Sequence, residues 1–517
     1  MQPAASHLAI LGAGLSGLSS AFHLSRRFPT AFVHLVDKNH DLGGWVHSQR
    51  VELPNSDQSV LLESGPRTLR PNAQSILELI NLLNLQDQLI TTSTASPAAK
   101  SRFLKLTQGE HGLVTIPSSP WAVLRSSLRS VMLNAVMGEP FKKPNRPQGI
   151  TDESFDSFMT RRFGSEFARV FGSALVHGIY ATDSRQLSVR AAFPVLWEAE
   201  DRGNGSLLRG LLRPKKSSSS PPLQDAYKVG TVQDSMKGVS VYSFKNGIST
   251  LTSALEQSLS STPNVVIHRG TSVASLTKSS TSDQTFRVSL SDGTTIPATH
   301  IVSTIPLPAL NSLLSKNTNT NLPSIPHLTY NPYTSVTVVN LVFNAPLSAI
   351  HPAGFGYLIP RPKDGYPTPD SNPLGILGTV FDSSSLSPQD SSTELTKLTV
   401  MLGGPYPSNP FTQPLSTSSA TSSSTPSIIT SILAHLQSSF HPYTSTPLPN
   451  PVYWKINHNQ HCIPTYLPGH LDRMEEMKEV LKGEGWEGRI EVIGAGVGGV
   501  SVGDCVEAGR KVGDGWL

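Results

Sequence analysis

Three glycines near the amino end have a spacing that can do chemistry. Gly12, Gly14 and Gly17 follow a short apolar run at 7–11 and lead into an amphipathic stretch from Leu18 to Arg27. Between a strand and a helix, the first glycine permits a tight turn, the second lets backbone approach a pyrophosphate, and the third lets helix and strand pack closely. A helix beginning near Leu15 directs its N–H groups and positive dipole end at the phosphates. A second apolar run, Phe32 to Val36, ends in Asp37, where a carboxylate accepts hydrogen bonds from ribose hydroxyls. The glycine string alone is weak evidence, because ordinary tight turns also produce it. The order strand, turn, helix, strand, acid predicts a βαβ nucleotide-binding unit.

Two further glycine clusters accompany this unit. Gly43-Gly44-Trp45 lies just beyond the acid, and Gly494-Ala495-Gly496-Val497-Gly498-Gly499 stands between a strand-like run at 489–493 and a helix-like stretch at 502–511. A nest of backbone N–H groups over Ala495–Gly499, feeding a helix N-terminus, suits a ring edge that gains negative charge on reduction. His458, His461 and Cys462 superficially suggest a metal cluster. They lack a fourth ligand at recognisable spacing and read as polar loop residues before the Ile463-Pro464 turn. Cys505 reads as a packing residue of the last helix.

The elements that must position these groups are spread over 517 residues, enough for two to four domains or one large enzyme. Strand-like runs concentrate at 241–306 and 327–403, with clear examples at 265–268, 286–290 and 301–304 and a helix at 248–259. Residues 119–170 are mostly helical in pattern. Ser/Thr/Pro-rich stretches at 213–222, 383–393 and 413–427 bury too little apolar area to offset their ordering entropy and are expected to be mobile surface loops. Because the chain opens and closes on strand–glycine–helix units, we expect an α/β fold. It comprises a discontinuous Rossmann-like nucleotide domain, a mixed-sheet substrate domain and a helical insertion. The expected boundaries are 1–95, 239–308 and 457–517 for the nucleotide domain, 96–238 for the helical insertion and 309–456 for the substrate domain.

Composition excludes several classes. With 41 Lys+Arg against 37 Asp+Glu, the net charge is +4, and the basic excess is too small for a nucleic-acid partner. Two cysteines cannot build a disulfide scaffold or an iron–sulfur cluster. No run approaches about 18 uninterrupted apolar residues, so no spanning helix is expected. The first strand-like run starts near His7, so no long presequence is expected. On a helix over 120–137, Trp121, Leu124, Leu128, Val131 and Met132 share one arc, flanked by Arg125, Arg129, Lys142, Lys143 and Arg146. That pattern suits either insertion into an anionic membrane surface or a core-facing helix.

Residues 7–45 resemble the flavoprotein superfamily of amine oxidases, phytoene desaturases and protoporphyrinogen oxidases. Its extended signature for FAD is strand, G-x-G-x-x-G, helix, strand-acid, then Gly-Gly. Within it, residues 63–70, 178–194, 401–404, 461–464 and 494–510 look like the protoporphyrinogen oxidase family, and the likeness runs nearly end to end. The resemblance implies oxidation of protoporphyrinogen IX to protoporphyrin IX in three two-electron steps, with O2 as acceptor and H2O2 as product, in haem synthesis. It implies non-covalent FAD held by Gly12, Ala13, Gly14, Leu15, Ser16, Gly17, Asp37, Lys38, Trp45, Gly65, Pro66, Arg67, Thr68, Val273, Ala495, Val500, Ser501 and Val502. For the substrate it implies Arg102 on a propionate, Phe355 and Leu358 sandwiching pyrrole rings, Met401 beside the flavin face and Gly178 at close backbone approach. No protein side chain is implied as catalytic acid or base, and no metal. The remaining implications are a membrane surface, a homodimer, the next haem-synthesis enzyme as a partner, and the intermembrane-space side of the mitochondrial inner membrane. Two departures stand out: Thr68 replaces a frequent glycine, with a turn tighter than Thr prefers, and Gly498-Gly499 replaces bulkier residues, suggesting a more mobile loop. Alternatives from the residues are another amine oxidase or polyene desaturase, or a non-catalytic binder of porphyrin precursors.

Overall fold

The computed structural model describes residues 4–54, 56–106, 112–117, 119–213, 226–278, 285–316, 322–367, 372–390, 392, 394–407, 426–441, 443–444 and 447–517. Its centre is a five-stranded parallel sheet in the order Ile490–Val492, His300–Ser303, His7–Leu11, Phe32–Val36, Val265–His268. The strands come from widely separated chain segments. Alternate side chains serve opposite layers, as the two-residue strand period requires. Leu8, Ile10, Val33 and Leu35 pack against the helices Leu15–Arg27, Gln74–Leu82, Ser249–Ser260 and Val502–Lys511. Ala9, Leu11 and Val36 face the antiparallel sheet Val273–Lys278, Phe286–Leu290, Thr295–Ala298 and the helices Leu307–Ser315 and His470–Lys482. Burial on both faces explains the near-continuous apolar character of the strands.

The first and last helices cross where Gly509 offers no side chain; a Cβ there would lie 2.6 Å from Ser16 O. This contact ties the two ends of the chain together beneath the glycine turns. Ser501 caps the last helix reciprocally with Asp504, a capping box with aspartate at its third position.

A seven-stranded mixed sheet runs in the order Tyr453–Pro464, Tyr333–Asn344, Leu395–Gly403, Ile376–Val380, Gly356–Leu358, Phe103–Leu104, Val114–Thr115. The pair 103–104 with 356–358 is parallel and the others are antiparallel. The sheet thus takes in residues expected in the insertion, and its strand 453–464 runs straight through the expected 456/457 boundary. Helix Ser427–Phe440 covers one face over Tyr357, Phe381 and Trp454. Helices between 120 and 212 form a further layer around Phe155, Phe158, Tyr180 and Trp197.

Three expectations are corrected. Residues 383–390 of the stretch expected at 383–393 are an integral part of the fold: Ser383, Ser385 and Gln389 are buried, and the Gln389 amide donates to Phe244 O at 3.1 Å. Backbone and side-chain hydrogen bonds, together with buried Leu386, anchor this serine-rich run. The other two serine-rich stretches lie almost wholly outside the described residues, apart from Arg213 and 426–427 at their ends. The helix expected over 120–137 is two, Pro120–Arg125 and Arg129–Gly138, so the apolar arc is broken. Leu128 turns into the interior, whereas Trp121 and Leu124 are exposed. Finally, His458, His461 and Cys462 lie on the strand Tyr453–Pro464, not in a loop.

Candidate functional site

Gly12 has φ +99°, and its N–H donates to Val36 O at 2.8 Å. A Cβ on Gly17 would come within 1.9 Å of Gly12 O. Both glycines are therefore demanded by the fold itself. Gly14 differs. Its φ of −66° is ordinary, and a Cβ on it would meet nothing nearer than Gly44 Cα at 4.0 Å. The N–H groups of Gly14 and Ser16 have no acceptor among the described residues. Open space lined by unpaired donors at the start of a 13-residue helix fits a pyrophosphate.

The neighbours of this cradle fit a dinucleotide. Asp37 accepts from Ala13 N at 2.7 Å and Asn39 N at 2.8 Å, which leaves a lone pair on each oxygen for ribose hydroxyls. Thr271 N donates to Asp37 O at 3.1 Å, bringing half-buried Val273 up beside the acid. Lys38 is exposed. Gly43 N donates to Ala13 O at 2.9 Å, and Gly44, at φ +64°, faces Gly14. Ala13 and Leu15 are buried between these turns. Trp45 is half exposed, and its carbonyl oxygen occupies the place where a Cβ of Gly65 would sit, 2.1 Å away. Thr68 does not take up a positive φ, so its backbone suits threonine and the expected strain is absent.

The loop carrying Gly65, Pro66 and Arg67 is gripped from the seven-stranded sheet. The Asn459 amide donates to Ser64 O at 2.9 Å, and the Asn340 amide to Glu63 O at 3.2 Å. The Lys397 ammonium donates to Leu61 O at 2.8 Å and pairs with Asp390. Arg67 is buried and forms an ion pair with Asp382 at 3.4 Å, whose other oxygen accepts from the Thr399 hydroxyl at 2.7 Å. Its guanidinium therefore braces the loop from behind. Asp382, Asn340 and Asn459 were not legible as site residues, and Asp382 immediately precedes a run whose composition pointed to a mobile loop. Glu63 accepts from the Ser48 hydroxyl at 2.7 Å and Ile248 N at 2.9 Å; burial pushes its carboxyl up to about 7.

At the carboxyl end, Gly494 has φ +105° and Gly499 φ +129°. A Cβ on Gly499 would lie 2.5 Å from the Asp504 carboxylate, and its φ favours glycine, whereas a Cβ on Gly498 would meet nothing within 4 Å. Gly499 N donates to the Tyr466 hydroxyl at 2.9 Å, and that hydroxyl donates to Ala495 O. The N–H groups of Ala495, Gly496, Val500 and Val502 have no acceptor among the described residues. Val502 opens the last helix behind exposed Ser501, and Val500 packs towards the helical layer. Tyr466 escaped the sequence analysis, having no signature beyond its place in the strand-end turn.

The expected substrate residues fall into two groups. Leu358 lies between two glycines: a Cβ on Gly178 would meet its methyl groups at 3.0 Å, and one on Gly378 would meet Leu358 Cδ2 at 2.8 Å. Met401 pairs with Gly378 across the sheet and is half-buried. Gly178, Leu358 and Met401 thus form one continuous apolar wall. Beneath it, buried His177 donates from Nδ1 to Ile359 O at 2.7 Å and accepts from the Tyr366 hydroxyl at 2.9 Å; burial holds it neutral, lowered to about 4. The second group is Phe355 and Arg102. Phe355 N donates to Ser101 O at 2.9 Å, which sets these two residues together at the sheet margin. Arg102 is exposed and has no carboxylate partner among the described residues.

The polar residues at 458–462 serve the strand. The His458 Nδ1 meets the Thr337 hydroxyl at 2.9 Å, and the Cys462 thiol lies 3.5 Å from Thr334 O. Burial pushes the thiols of Cys462 and Cys505 up to about 11, which makes both poor nucleophiles.

A parallel sheet covered on both faces, with a glycine cradle at each chain end and joined to a mixed sheet with an apolar wall, fits an enzyme built around a dinucleotide cofactor. The model of the flavin-containing amine oxidoreductase family matches residues 15–512, and the chain belongs to that family. Its cofactor is FAD. More particularly, it is 34% identical to the protoporphyrinogen oxidase of Schizosaccharomyces pombe, covering 98% of this chain and 97% of that one. It is 31% identical to the protoporphyrinogen oxidase of Homo sapiens, covering 97% and 96%. Among solved structures, a putative protoporphyrinogen oxidase from Exiguobacterium sp. 255-15 superposes with a TM-score of 0.71 at 20% identity, covering 99% of this chain and 98% of that one; this last likeness speaks for the fold.

Proposed function

We propose that the protein oxidises protoporphyrinogen IX to protoporphyrin IX in haem synthesis. Six electrons and six protons leave the macrocycle in three rounds, and three O2 become three H2O2. When bound, FAD supplies the two-electron acceptor. The chain's own residues bind, orient and exclude water. Gly14, Ser16 and Asp37 hold the dinucleotide end, with Lys38, Trp45 and Val273 beside it. Gly65, Pro66, Arg67 and Thr68 bring a braced loop against the ring system, and Ala495, Val500, Ser501 and Val502 line its other edge. Gly178, Leu358, Met401 and Phe355 wall an apolar slot, and Arg102 meets a propionate through charge-assisted bonds. The observation that carries the reading is an exposed arginine without a carboxylate partner among the described residues, held next to Phe355 at the sheet margin, on a chain similar end to end to protoporphyrinogen oxidases.

The same reading places the enzyme at a membrane surface. Trp121, Met137, Phe141 and Leu212 project from the helical layer with Arg125, Arg129 and Lys143 exposed beside them, which is what in-plane contact with anionic lipid needs. Among the described residues no helix is long and apolar enough to cross a membrane. By family resemblance the location is the intermembrane-space side of the mitochondrial inner membrane, as a homodimer with non-covalent FAD, passing product to the next haem-synthesis enzyme.

The test is aerobic incubation of the purified yellow protein with protoporphyrinogen IX, a polyamine or a polyene. Porphyrin fluorescence and stoichiometric peroxide with the first alone support the proposal. Turnover of an amine or a polyene instead, or porphyrinogen binding without anaerobic bleaching of the flavin band, overturns it.

A further inference from the structure

Tyr466 lies in the short turn between the strand Tyr453–Pro464 and the helix His470–Lys482, which His470 opens, and every polar atom of their rings is committed elsewhere. Their rings stack at 4.2 Å with an interplanar angle of 10°. The Tyr466 hydroxyl reaches both ends of the glycine loop, donating to Ala495 O and accepting from Gly499 N. His470 reaches its middle: Nε2 donates to Val497 O at 2.9 Å. The other ring nitrogen, Nδ1, accepts from the Asn331 amide at 2.9 Å, and Asn331 Oδ1 accepts from Leu467 N at 3.1 Å. That chain of donors defines one tautomer of a neutral ring.

The consequence lies in what these bonds leave over. Two carbonyls of the loop, Ala495 and Val497, are turned to the Tyr466–His470 pair, and the Gly494 carbonyl accepts from Val497 N at 2.9 Å. With its acceptors occupied on one side, the loop leaves the N–H groups of Ala495 and Gly496 without acceptors among the described residues. Besides the loop's own backbone bonds, the two rings behind it supply side-chain contacts to Ala495, Val497 and Gly499.

We propose that Tyr466 and His470 are positioning residues that aim the 494–499 backbone donors at the flavin ring and thereby favour its reduced form. This rests on the reading that FAD lies with its ring system against the 495–502 segment. Fixed donors stabilise the charge gained on reduction only if they need not reorganise, and the stacked pair supplies that rigidity. Neither residue touches the reacting atoms.

The test uses purified holoenzyme carrying Tyr466→Phe, which keeps the stacked ring and removes both hydroxyl bonds. A second variant, His470→Leu, is paired with His470→Gln, whose amide can still donate to Val497 O. Apoprotein prepared from each is titrated with FAD, and the midpoint potential is read by dye equilibration. We expect Tyr466→Phe and His470→Leu each to weaken FAD binding about tenfold, with His470→Gln restoring most of it. We also expect reduced FAD to lose about tenfold more affinity than oxidised FAD, a fall of about 30 mV for a two-electron couple. Far-ultraviolet circular dichroism separates these effects from misfolding. Unchanged affinity and potential in both variants, with wild-type protein binding FAD normally, overturns the assignment. Failure of wild-type apoprotein to bind FAD overturns the reading beneath it instead.

Discussion

At the scale of single residues, Gly14 and Gly17 look equivalent in the glycine string, but the structure separates them. Gly17 packs against Gly12 O, so Gly17→Ala brings a Cβ to within 1.9 Å of that oxygen and should reduce the yield of folded protein. Gly14 has room for a side chain in the protein alone, so Gly14→Val should fold and yet lack flavin. Circular dichroism together with the visible flavin band checks both, and a yellow Gly14→Val protein would contradict the cradle. Arg102 makes a comparable case on the substrate side. An exposed arginine without a carboxylate partner among the described residues contributes little to stability, so Arg102→Ala should leave the melting temperature unchanged. Loss of its charge-assisted bonds should raise KM through about 1.5–3 kcal/mol with a smaller change in kcat. Steady-state kinetics with protoporphyrinogen IX distinguishes this from a surface role, in which neither constant moves.

At the scale of elements, the loop 63–67 shows how the site is stiffened. Its backbone is held by Asn340 and Asn459 from the mixed sheet, with Lys397 gripping the preceding strand at Leu61 O, while Glu63 turns the other way to cap the start of helix Ser249–Ser260 through Ile248 N. The Glu63 carboxyl is raised from 4.5 to about 7 by burial. Between those values the unfolded chain releases the proton and the folded one keeps it. Stability from this group is therefore complete below about 4.5 and is lost as pH rises through 7. The upper limit of the effect is about 3 kcal/mol. Glu63→Gln should flatten the fall in melting temperature between pH 5 and 8; a variant with the same pH dependence as wild type would remove Glu63 as its source. The capping of this helix by a residue nearly two hundred positions away explains why its start was legible only from periodicity.

At the scale of the whole molecule, buried neutral histidines set acid sensitivity. Burial lowers His23, His34, His177, His300, His351, His435 and His470 from 6.5 to about 4. In the unfolded chain each takes up a proton near 6.5, so the stability they hold is present above that pH and lost as pH falls towards 4. They are distributed over both sheets and the helical layer, so a cooperative loss of structure and release of FAD is expected across that interval. Ellipticity and flavin fluorescence followed together during acid titration check it, and a protein unchanged at pH 4 would contradict it.

What the sequence determined by itself was local: the strand–glycine–helix units at both ends, the acid after the second strand, the strands at 265–268 and 286–290, and the last helix at 502–511. These follow from hydrophobic period, glycine turns and capping, which act over a few residues. The tertiary structure decided which distant polar groups meet. Arg67 finds Asp382, Asn459 finds Ser64, and Tyr466 finds both ends of the glycine loop. It also ordered the serine-rich residues 383–390 against composition and broke the helix at 126–128. A buried hydrogen bond is specified by two partners and the packing that dries them, and no single stretch of chain carries that information.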